Sequence, residues 1–413
     1  MERERPVYRP FALLAFGAAL VGGIPLGIRM LAWLYHGASA VSVEWVLLHA
    51  NLQVFGFFAT LIVGVAPHLV ARFTGRALGD DPLHRVLAGL LGAALLLRLA
   101  GTWLELGAAV LGGAALQAAA FVLFARWAWR ALDPPPLAIV RRQLALSSAW
   151  LALALVVEVG VRVIALLDGR GVPPIAPMRA VHTVALTAGV LGWVLGVLLR
   201  AGPMFIGGWQ VRPAVARALP VVLAIGAALG ASEALGAGAA VGRLGDVVAL
   251  GGGVVLLVTA GAFRHVPKAL PMLSRSPGET RIARIALVSL PLAALGAAAT
   301  AVAALAGREV HVAADAVRHL LAVGFVTSIV VAMAFRLIPA LEGVALPWPR
   351  LRHVALVALA AAVALRTAQV LVAFGWTWLA PAVAASGPLV WVAVFAVAVS
   401  LVVAIRRAPL TSR

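Results

Sequence analysis

Three histidines open three similar apolar segments of the chain, and imidazole is a side chain that can hold haem iron or another metal. His49, His182 and His319 recur about every 134 residues, a spacing that indicates a repeated structural unit. Each is followed 17 to 19 residues later by a basic residue, and seven residues after that by a glycine. The basic residues and glycines are His68, Arg200, Arg336, Gly75, Gly207 and Gly343. The pattern predicts three imidazoles at the same depth of a repeated helical bundle.

The composition identifies the class of protein that positions these histidines. Of the 413 residues, 63% are hydrophobic and 12% are charged, and the mean hydropathy is +1.05. Because so few polar side chains cannot cover the surface of a soluble domain, the chain is predicted to be an all-α polytopic membrane protein. Twelve apolar segments reach the roughly 20 residues that a bilayer span needs. They lie near residues 11–35, 44–70, 86–106, 107–129, 143–167, 179–205, 215–238, 241–264, 284–306, 311–338, 352–376 and 378–405.

The positive charge follows the predicted loops. The formal net charge is +18, and 24 of the 33 Lys and Arg residues fall at the termini and in alternate loops. That alternation is the positive-inside pattern, and it predicts a multi-pass protein of the cytoplasmic membrane with both termini in the cytoplasm. The charge therefore indicates contact with membrane lipid and argues against nucleic acid as a partner.

The chain contains no cysteine. This excludes disulfides, thiolate metal sites and the covalent C-x-x-C-H attachment of a c-type haem. The predicted loops are short, with the longest at about residues 265–283. The chemistry must therefore lie between the helices.

Twelve spans and a period near 134 residues predict three units of four helices. They form a single membrane domain, 1–413, with internal repeats at approximately 1–135, 136–275 and 276–413. Because each unit has an even number of spans, the copies share one orientation, whereas a transporter of the major facilitator type would divide into six plus six helices. The predicted orientation brings His49, His182 and His319 toward the outer leaflet.

Polar side chains within a membrane are expensive and tend to mark function. A single buried histidine is as readily a hydrogen-bonding residue between packed helices as a ligand. Three at equivalent depth in repeated helices favour ligands. Glu158 and Arg162, spaced i, i+4 in the fifth segment, are predicted to neutralise each other as a structural pair, with a proton or ion path as the alternative.

Several motifs resemble one superfamily of membrane proteins. HANLQVFGF from His49, followed by GVAPHLVARF, resembles the second helix of the heme-copper oxidase subunit I superfamily, and particularly its NnrS branch. YRPF from Tyr8 is similar to the start of NnrS proteins. GVLLRAGPMFIGG resembles the end of the family's sixth helix, and RHLLAVGFVTSIVVAMAFR resembles its tenth helix. Twelve helices in three four-helix arcs are also the architecture of that superfamily.

The resemblance implies ligands for a cofactor. His49 and His319 match the helices that supply the two axial ligands of a low-spin haem, here expected to be a b-type haem. His182 matches the sixth-helix position that contributes to a copper site in oxidases, so copper is a possible second cofactor. His311, eight residues before His319, is a weaker ligand candidate.

The resemblance also implies partners for such a haem. Arg179, Arg318 and Arg98 are predicted near the outer mouth, where haem propionates need cations. The alternative for these arginines is interfacial snorkelling. Gln53, one turn beyond His49, is expected to orient its imidazole through a hydrogen bond.

The departures from the oxidase pattern are equally informative. The seventh segment, 215–238, has no histidine, although an oxygen reductase binds copper there. Leu320 and Leu321 follow His319, so the ligand of a second haem is missing. Position 51 is asparagine, where the family often has another histidine. A complete oxygen reductase is therefore not expected, and catalytic turnover is left open.

The resemblance implies a membrane haem protein, with copper as an option, linked to nitric oxide, nitrosative stress or respiratory metabolism. Its partners would be respiratory-chain or nitric-oxide-related proteins. Two other classes stay open at this point. One is a haem-free transporter or sensor whose histidines and arginines bind a small anionic solute, and the other is an accessory subunit of a respiratory complex. The colour of the purified protein distinguishes the haem protein, which would be coloured, from the haem-free transporter or sensor, which would be colourless.

Overall fold

The computed structural model describes residues 6–75, 82–205, 210–264, 277–308 and 311–408. Within these ranges the chain is helical without a β-strand, and twelve helices are long and apolar enough to cross a membrane. This confirms the predicted fold class. The spanning helices, α1 to α12 in chain order, are Tyr8–His36, Val43–Thr74, Pro82–Trp103, Gly107–Ala131, Ala138–Leu167, Ile175–Pro203, Pro213–Leu235, Ala239–Thr259, Gly278–Leu305, His311–Glu342, Leu351–Ala373 and Thr377–Arg407.

The junction between α3 and α4 lies where the sequence predicts it, at Gly107. α3 nevertheless ends at Trp103, earlier than the apolar segment suggested. Glu105 in the link has a φ of 55°, a left-handed conformation that residues other than glycine rarely adopt. Leu104 and Leu106 flank it. Because both side chains are apolar, the hydropathy of the sequence does not reveal the turn.

Three of the helices are more deeply buried than the rest. In their most apolar windows, α2, α6 and α10 are 61%, 72% and 61% buried, whereas the other spans range from 33% to 50%. These three inner helices carry the three histidines and stand second in each consecutive group of four. The division of the chain into repeats at about residues 135 and 275 stays a prediction, and residue 275 lies outside the described ranges.

The outer helices close around this inner set by packing mostly in chain order. Neighbouring pairs such as α3 with α4, α7 with α8 and α11 with α12 pack along their lengths, and α12 packs against α1. Glycine permits the closest of these approaches. A Cβ added at Gly245 of α8 would lie 2.4 Å from the backbone nitrogen of Gly230 of α7. Small residues at helix contacts are the usual means of packing in membranes.

Each inner helix widens into π-helical turns just after its histidine. These turns span Leu52–Ala59 in α2, Ala185–Leu191 in α6 and Leu320–Thr327 in α10, and α1 has a similar stretch at Ala18–Gly23. Every one of these stretches contains glycine. Hydroxyl groups accompany them, since Thr60 and Thr327 donate to carbonyls five residues earlier at 2.8 and 2.9 Å. π-Helical turns within α-helices occur frequently at functional sites.

The closing glycines predicted from the repeat end two of the inner helices. Gly75 follows α2 and Gly343 follows α10, with φ values of 70° and 68°. Glycine adopts this left-handed conformation without a steric penalty and is the common residue after a helix C-terminus. The third closing glycine, Gly207, lies outside the described residues.

Candidate functional site

A cavity at one end of the bundle contains all three histidines in its wall. It has a volume of about 360 Å³ and opens among α1, α2, α6, α10, α11 and α12. His49, His182 and His319 line it, and we call it the histidine cavity. The end of the bundle at which α2, α6 and α10 begin is the histidine end. A volume of this size falls within the range of small-molecule and cofactor sites.

A backbone carbonyl holds each of the three imidazoles at Nδ1. The Nδ1 to oxygen distances are 2.7 Å from His49 to Gly23, 2.8 Å from His182 to Met178, and 2.9 Å from His319 to Asp315. Because a carbonyl oxygen can only accept, each neutral imidazole must carry its proton on Nδ1 and donate it. The lone pair then lies on Nε2, as in a histidine that ligates a metal.

The Nε2 atoms are left for another partner. No residue in the described ranges forms a hydrogen bond with Nε2 of His49 or His319. Nε2 of His182 is buried and also lacks a hydrogen-bond partner there. Because buried polar atoms are nearly always paired, an unpaired lone pair in a cavity wall points to a ligand or ion.

His319 has a second contact, with the carboxylate of Asp315. Oδ2 of Asp315 lies 3.3 Å from Nδ1 of His319, and Nε2 of Gln369 on α11 donates to the same carboxylate oxygen at 3.2 Å. A carboxylate behind a ligating imidazole fixes the orientation of the ring and raises its basicity. α10 therefore orients its own histidine, since Asp315 and His319 are one turn apart.

Two glycines of α1 let that helix approach the cavity residues of α2. A Cβ added at Gly27 would lie 2.8 Å from Cε1 of His49, and one added at Gly23 would lie 2.9 Å from Nε2 of Gln53. Gln53 lines the histidine cavity. The Gly23 carbonyl, however, holds Nδ1 of His49. The backbone of Gly23 thus orients the imidazole at Nδ1, and the orienting role of Gln53 stays a prediction.

Three arginines line the histidine cavity. Arg179 is paired with Glu233 at 3.0 Å. Arg318 makes no hydrogen bond or salt bridge with any residue that the structure describes. Arg366 is 5% exposed and donates to Oε1 of Gln369 at 2.7 Å, while its Nε is buried and unpaired within the described chain. Arg318 and Arg366 can therefore bind an anion in the cavity.

Arg98 lies outside the cavity, in a buried ion network. It binds Glu158 of α5 through two hydrogen bonds of 2.7 and 2.9 Å, and their side chains are 1% and 0% exposed. Arg162 binds the same carboxylate at 2.9 Å and Glu44 of α2 at 3.0 Å. The predicted Glu158–Arg162 pair is thus confirmed. Glu158 engages the guanidinium of Arg98, and the role of Arg98 toward haem propionates stays a prediction.

His311 and Asn51 also lie away from the cavity wall. His311 is the exposed first residue of α10, about 12 Å along the helix from His319 at a rise of 1.5 Å per residue. The weaker ligand role considered for it has no support from this position. Asn51 is 1% exposed and donates to Gln117 of α4 at 3.1 Å. It therefore joins α2 to α4.

The three imidazoles share the cavity without meeting at one point. Across the described ranges, no three His, Cys, Asp or Glu side chains are placed to hold one metal ion together. A copper ion at His182 would thus lack the two further histidines that an oxidase copper site uses.

Sequence reasoning missed Asp315 and Arg366 as residues of the cavity. Asp315 precedes His319 by four residues, a spacing that puts both on one helix face. Arg366 follows Arg98 by twice the repeat period, which marked both as repeated positions and nothing more. The period alone does not predict that one arginine faces the cavity and the other an acidic partner.

No family model matches the chain, and no curated protein matches it in sequence. Among solved structures 27 chains match. One is a heme-copper terminal oxidase determined as a dimer by cryo-electron microscopy, with 14% sequence identity and a TM-score of 0.71. The match covers 99% of this chain and 85% of the oxidase chain. The likeness shows the heme-copper oxidase subunit I-like fold that the motifs predicted.

Proposed function

We propose that this chain is a haem protein of the membrane, with a b-type haem held between His49 and His319 in the histidine cavity. The observation that carries the proposal is that the two imidazoles have the same hydrogen bonding and the same cavity. Both line one cavity, both are fixed at Nδ1 by a backbone carbonyl, and both have Nε2 without a described partner. This is the arrangement of metal-ligating histidines. Since the chain has no cysteine, the haem would be bound non-covalently.

The other walls of the cavity fit the rest of a haem. Arg318 and Arg366 are available to the propionates, and Arg179 lies in the same wall. Phe57 and Phe58 supply apolar surface for the macrocycle. Guanidinium groups match carboxylates in geometry and charge, so they favour an anionic, amphipathic cofactor. A bound haem with both axial positions taken by histidines would supply an iron that exchanges electrons.

The NnrS resemblance supports a role in handling nitric oxide, in nitrosative stress or in respiratory metabolism. The positive-inside pattern supports a cytoplasmic membrane location with cytoplasmic termini. In that orientation the histidine cavity lies near the outer leaflet. A respiratory-chain or nitric-oxide-related protein is then the expected partner.

His182 supplies a third imidazole whose buried Nε2 is unpaired in the described chain. It is the candidate for copper, as the resemblance implies, and a structural imidazole between packed helices is the alternative. Metal analysis of wild type and His182→Ala separates these roles. Copper that disappears in the variant assigns the metal to His182, and copper content that does not change removes that role.

The optical spectrum of the purified protein tests the proposal. Protein from haem-replete cells is expected to show a Soret band, with sharp α and β bands after reduction. A colourless protein that stays colourless after incubation with haem would overturn the proposal. The pyridine haemochrome spectrum of the extracted pigment would identify the haem type.

A second candidate function is supported by the unpaired cations. Arg318 and Arg366 form no salt bridge with a described residue, although the Asp315 carboxylate lines the same cavity. A haem-free protein could use this pair to bind a small anionic solute as a transporter or sensor. Binding of such an anion to colourless protein, lost in Arg318→Gln, would favour this candidate over haem.

The Gly27→Ala variant tests whether the orientation of His49 matters. The added Cβ would lie 2.8 Å from Cε1 of His49, so the ring must move although its Nδ1 is held by Gly23. Because displacing the support of a ligating histidine lowers affinity by about 10- to 100-fold, we expect a loss of haem affinity in that range. Titration of haem-depleted protein with haem measures it.

Gly17→Ala is the matched control on the same helix. A Cβ at Gly17 meets nothing within 4 Å, so haem affinity should stay at the wild-type value. Equal affinity in both variants would argue against His49 as an oriented ligand.

A further inference from the structure

The two histidines proposed as axial ligands have unequal support at Nδ1. Nδ1 of His49 meets the Gly23 carbonyl oxygen at 2.7 Å, and no carboxylate of a described residue lies within ion-pair distance of this ring. Nδ1 of His319 meets two oxygens of Asp315, the backbone carbonyl oxygen at 2.9 Å and the carboxylate Oδ2 at 3.3 Å. A negative charge therefore stands behind one ring of the pair and not behind the other.

α11 holds the Asp315 carboxylate in place. Nε2 of Gln369 donates to Oδ2 of Asp315 at 3.2 Å, and Oε1 of the same amide accepts from Nη1 of Arg366 at 2.7 Å. Gln369 and Arg366 are buried, so the amide is fixed at both ends. Within the part of the chain that the structure describes, no lysine or arginine lies within ion-pair distance of this carboxylate. Its charge is therefore directed at His319 rather than neutralised by a neighbouring cation.

A carboxylate in this position affects the two oxidation states of a haem iron differently. An imidazole that ligates iron loses electron density to the metal, and ferric iron withdraws more than ferrous iron. The Nδ1–H is then the stronger donor in the ferric state, and a charged oxygen accepts such a proton more strongly than a carbonyl oxygen does. Hydrogen bonding behind a ligand is one of the means by which a protein sets the potential of its haem.

We propose that Asp315 is a positioning residue that acts through His319 to lower the midpoint potential of the haem, with Gln369 and Arg366 holding its carboxylate toward the ring. This inference rests on the proposed function. His49 supplies the other axial nitrogen without a charged partner, so α10 sets the potential and α2 completes the ligation.

Asp315→Asn tests the proposal, because it keeps the size of the side chain and removes the charge. The backbone carbonyl of residue 315 still holds Nδ1, so the haem should stay bound. We expect ferric haem to be held about tenfold more weakly relative to ferrous haem, the lower end of the effect that such partners have on affinity. For one electron, tenfold corresponds to about 59 mV, so the midpoint potential should rise by about that amount in a mediated redox titration.

Glu44→Gln is the matched control on α2. Glu44 lies five residues before His49, much as Asp315 lies four before His319, but it binds Arg162 and no histidine. Its substitution removes the same charge from the same end of the bundle. The midpoint potential should therefore move less than half as far as in Asp315→Asn. An unchanged potential in Asp315→Asn, or equal shifts in the two variants, would overturn the proposal.

A second measurement needs no haem. In NMR spectra of haem-depleted protein labelled at histidine, the Nδ1 proton of His319 should resonate further downfield than that of His49, because its acceptors include a charged oxygen. Asp315→Asn should move the His319 signal toward that of His49, and the two His→Ala variants assign the signals. If Asp315→Asn loses its haem, an unmoved His319 signal would overturn the proposal.

The outcomes separate this inference from the proposed function. Protein that neither contains nor takes up haem would overturn both. Haem-loaded protein whose potential does not respond to Asp315→Asn would overturn the role of Asp315 and leave the haem site standing.

Discussion

His49→Ala and His319→Ala are each expected to remove most of the bound haem. Each substitution takes away one of the two Nε2 lone pairs that face the same cavity. Even the residues that support a metal-ligating histidine contribute about 10- to 100-fold to affinity, so loss of a ligand should lower haem affinity by more than about 100-fold. The ratio of Soret absorbance to protein after purification measures the loss.

His311→Ala is the matched control for this prediction. His311 is on the same helix as His319 but exposed and outside the cavity, so its substitution should leave the haem content unchanged. A smaller side chain at position 49 also allows rescue, because imidazole added to His49→Gly can occupy the vacated space and restore the spectrum. Wild-type haem content in His49→Ala or His319→Ala would contradict the assigned ligands.

The largest effect on stability is expected from Glu158→Gln. The Glu158 carboxylate is fully buried and binds both Arg98 and Arg162. Without it, two guanidinium charges remain inside the bundle, and Glu44 is the one carboxylate of the described residues that still binds either of them. Breaking a buried ion pair by removing one partner destabilises a protein by about 3–5 kcal/mol. A marked fall in the thermal unfolding midpoint in detergent is therefore expected.

Two comparisons distinguish the effect of removing a buried charge from the effect of removing an exposed charge. Asp133→Asn breaks an exposed pair with Arg141, and such surface pairs contribute about 0–1 kcal/mol. It should barely move the midpoint. The double variant Arg98→Met with Glu158→Leu removes one buried cation together with the buried carboxylate, leaves Arg162 paired with Glu44, and should recover most of the lost stability. Equal destabilisation by Asp133→Asn and Glu158→Gln would refute the role of burial.

Hydropathy and repeat spacing were sufficient to predict the spans and to bring three histidines to one end of the bundle. Both properties depend on position along a helix, which a sequence displays directly. His49, His182 and His319 begin the three inner helices, so their common depth followed from the period alone. The three histidines line one cavity because the helices that carry them lie close together. The distance between those helices cannot be read from the sequence.

The remaining features depend on which neighbour each side chain meets. Arg98 and Arg366 are related by the predicted repeat, yet Arg98 binds a carboxylate on α5 while Arg366 lines the cavity. Glu158 decides this difference, and it belongs to another helix. The π-helical turns could not be predicted from the sequence either, because the glycines within them are also ordinary packing residues in membrane helices. Pairwise contacts across helices are therefore where the sequence was least informative.

The position of the haem tests the central claim most directly. A cryo-electron microscopy map of the haem-replete protein is expected to show a flat macrocycle in the histidine cavity, with its iron bonded to Nε2 of His49 on one side and Nε2 of His319 on the other. Propionate density should reach Arg318 or Arg366. A macrocycle bound elsewhere, or one whose iron is bonded to neither histidine, would contradict the account.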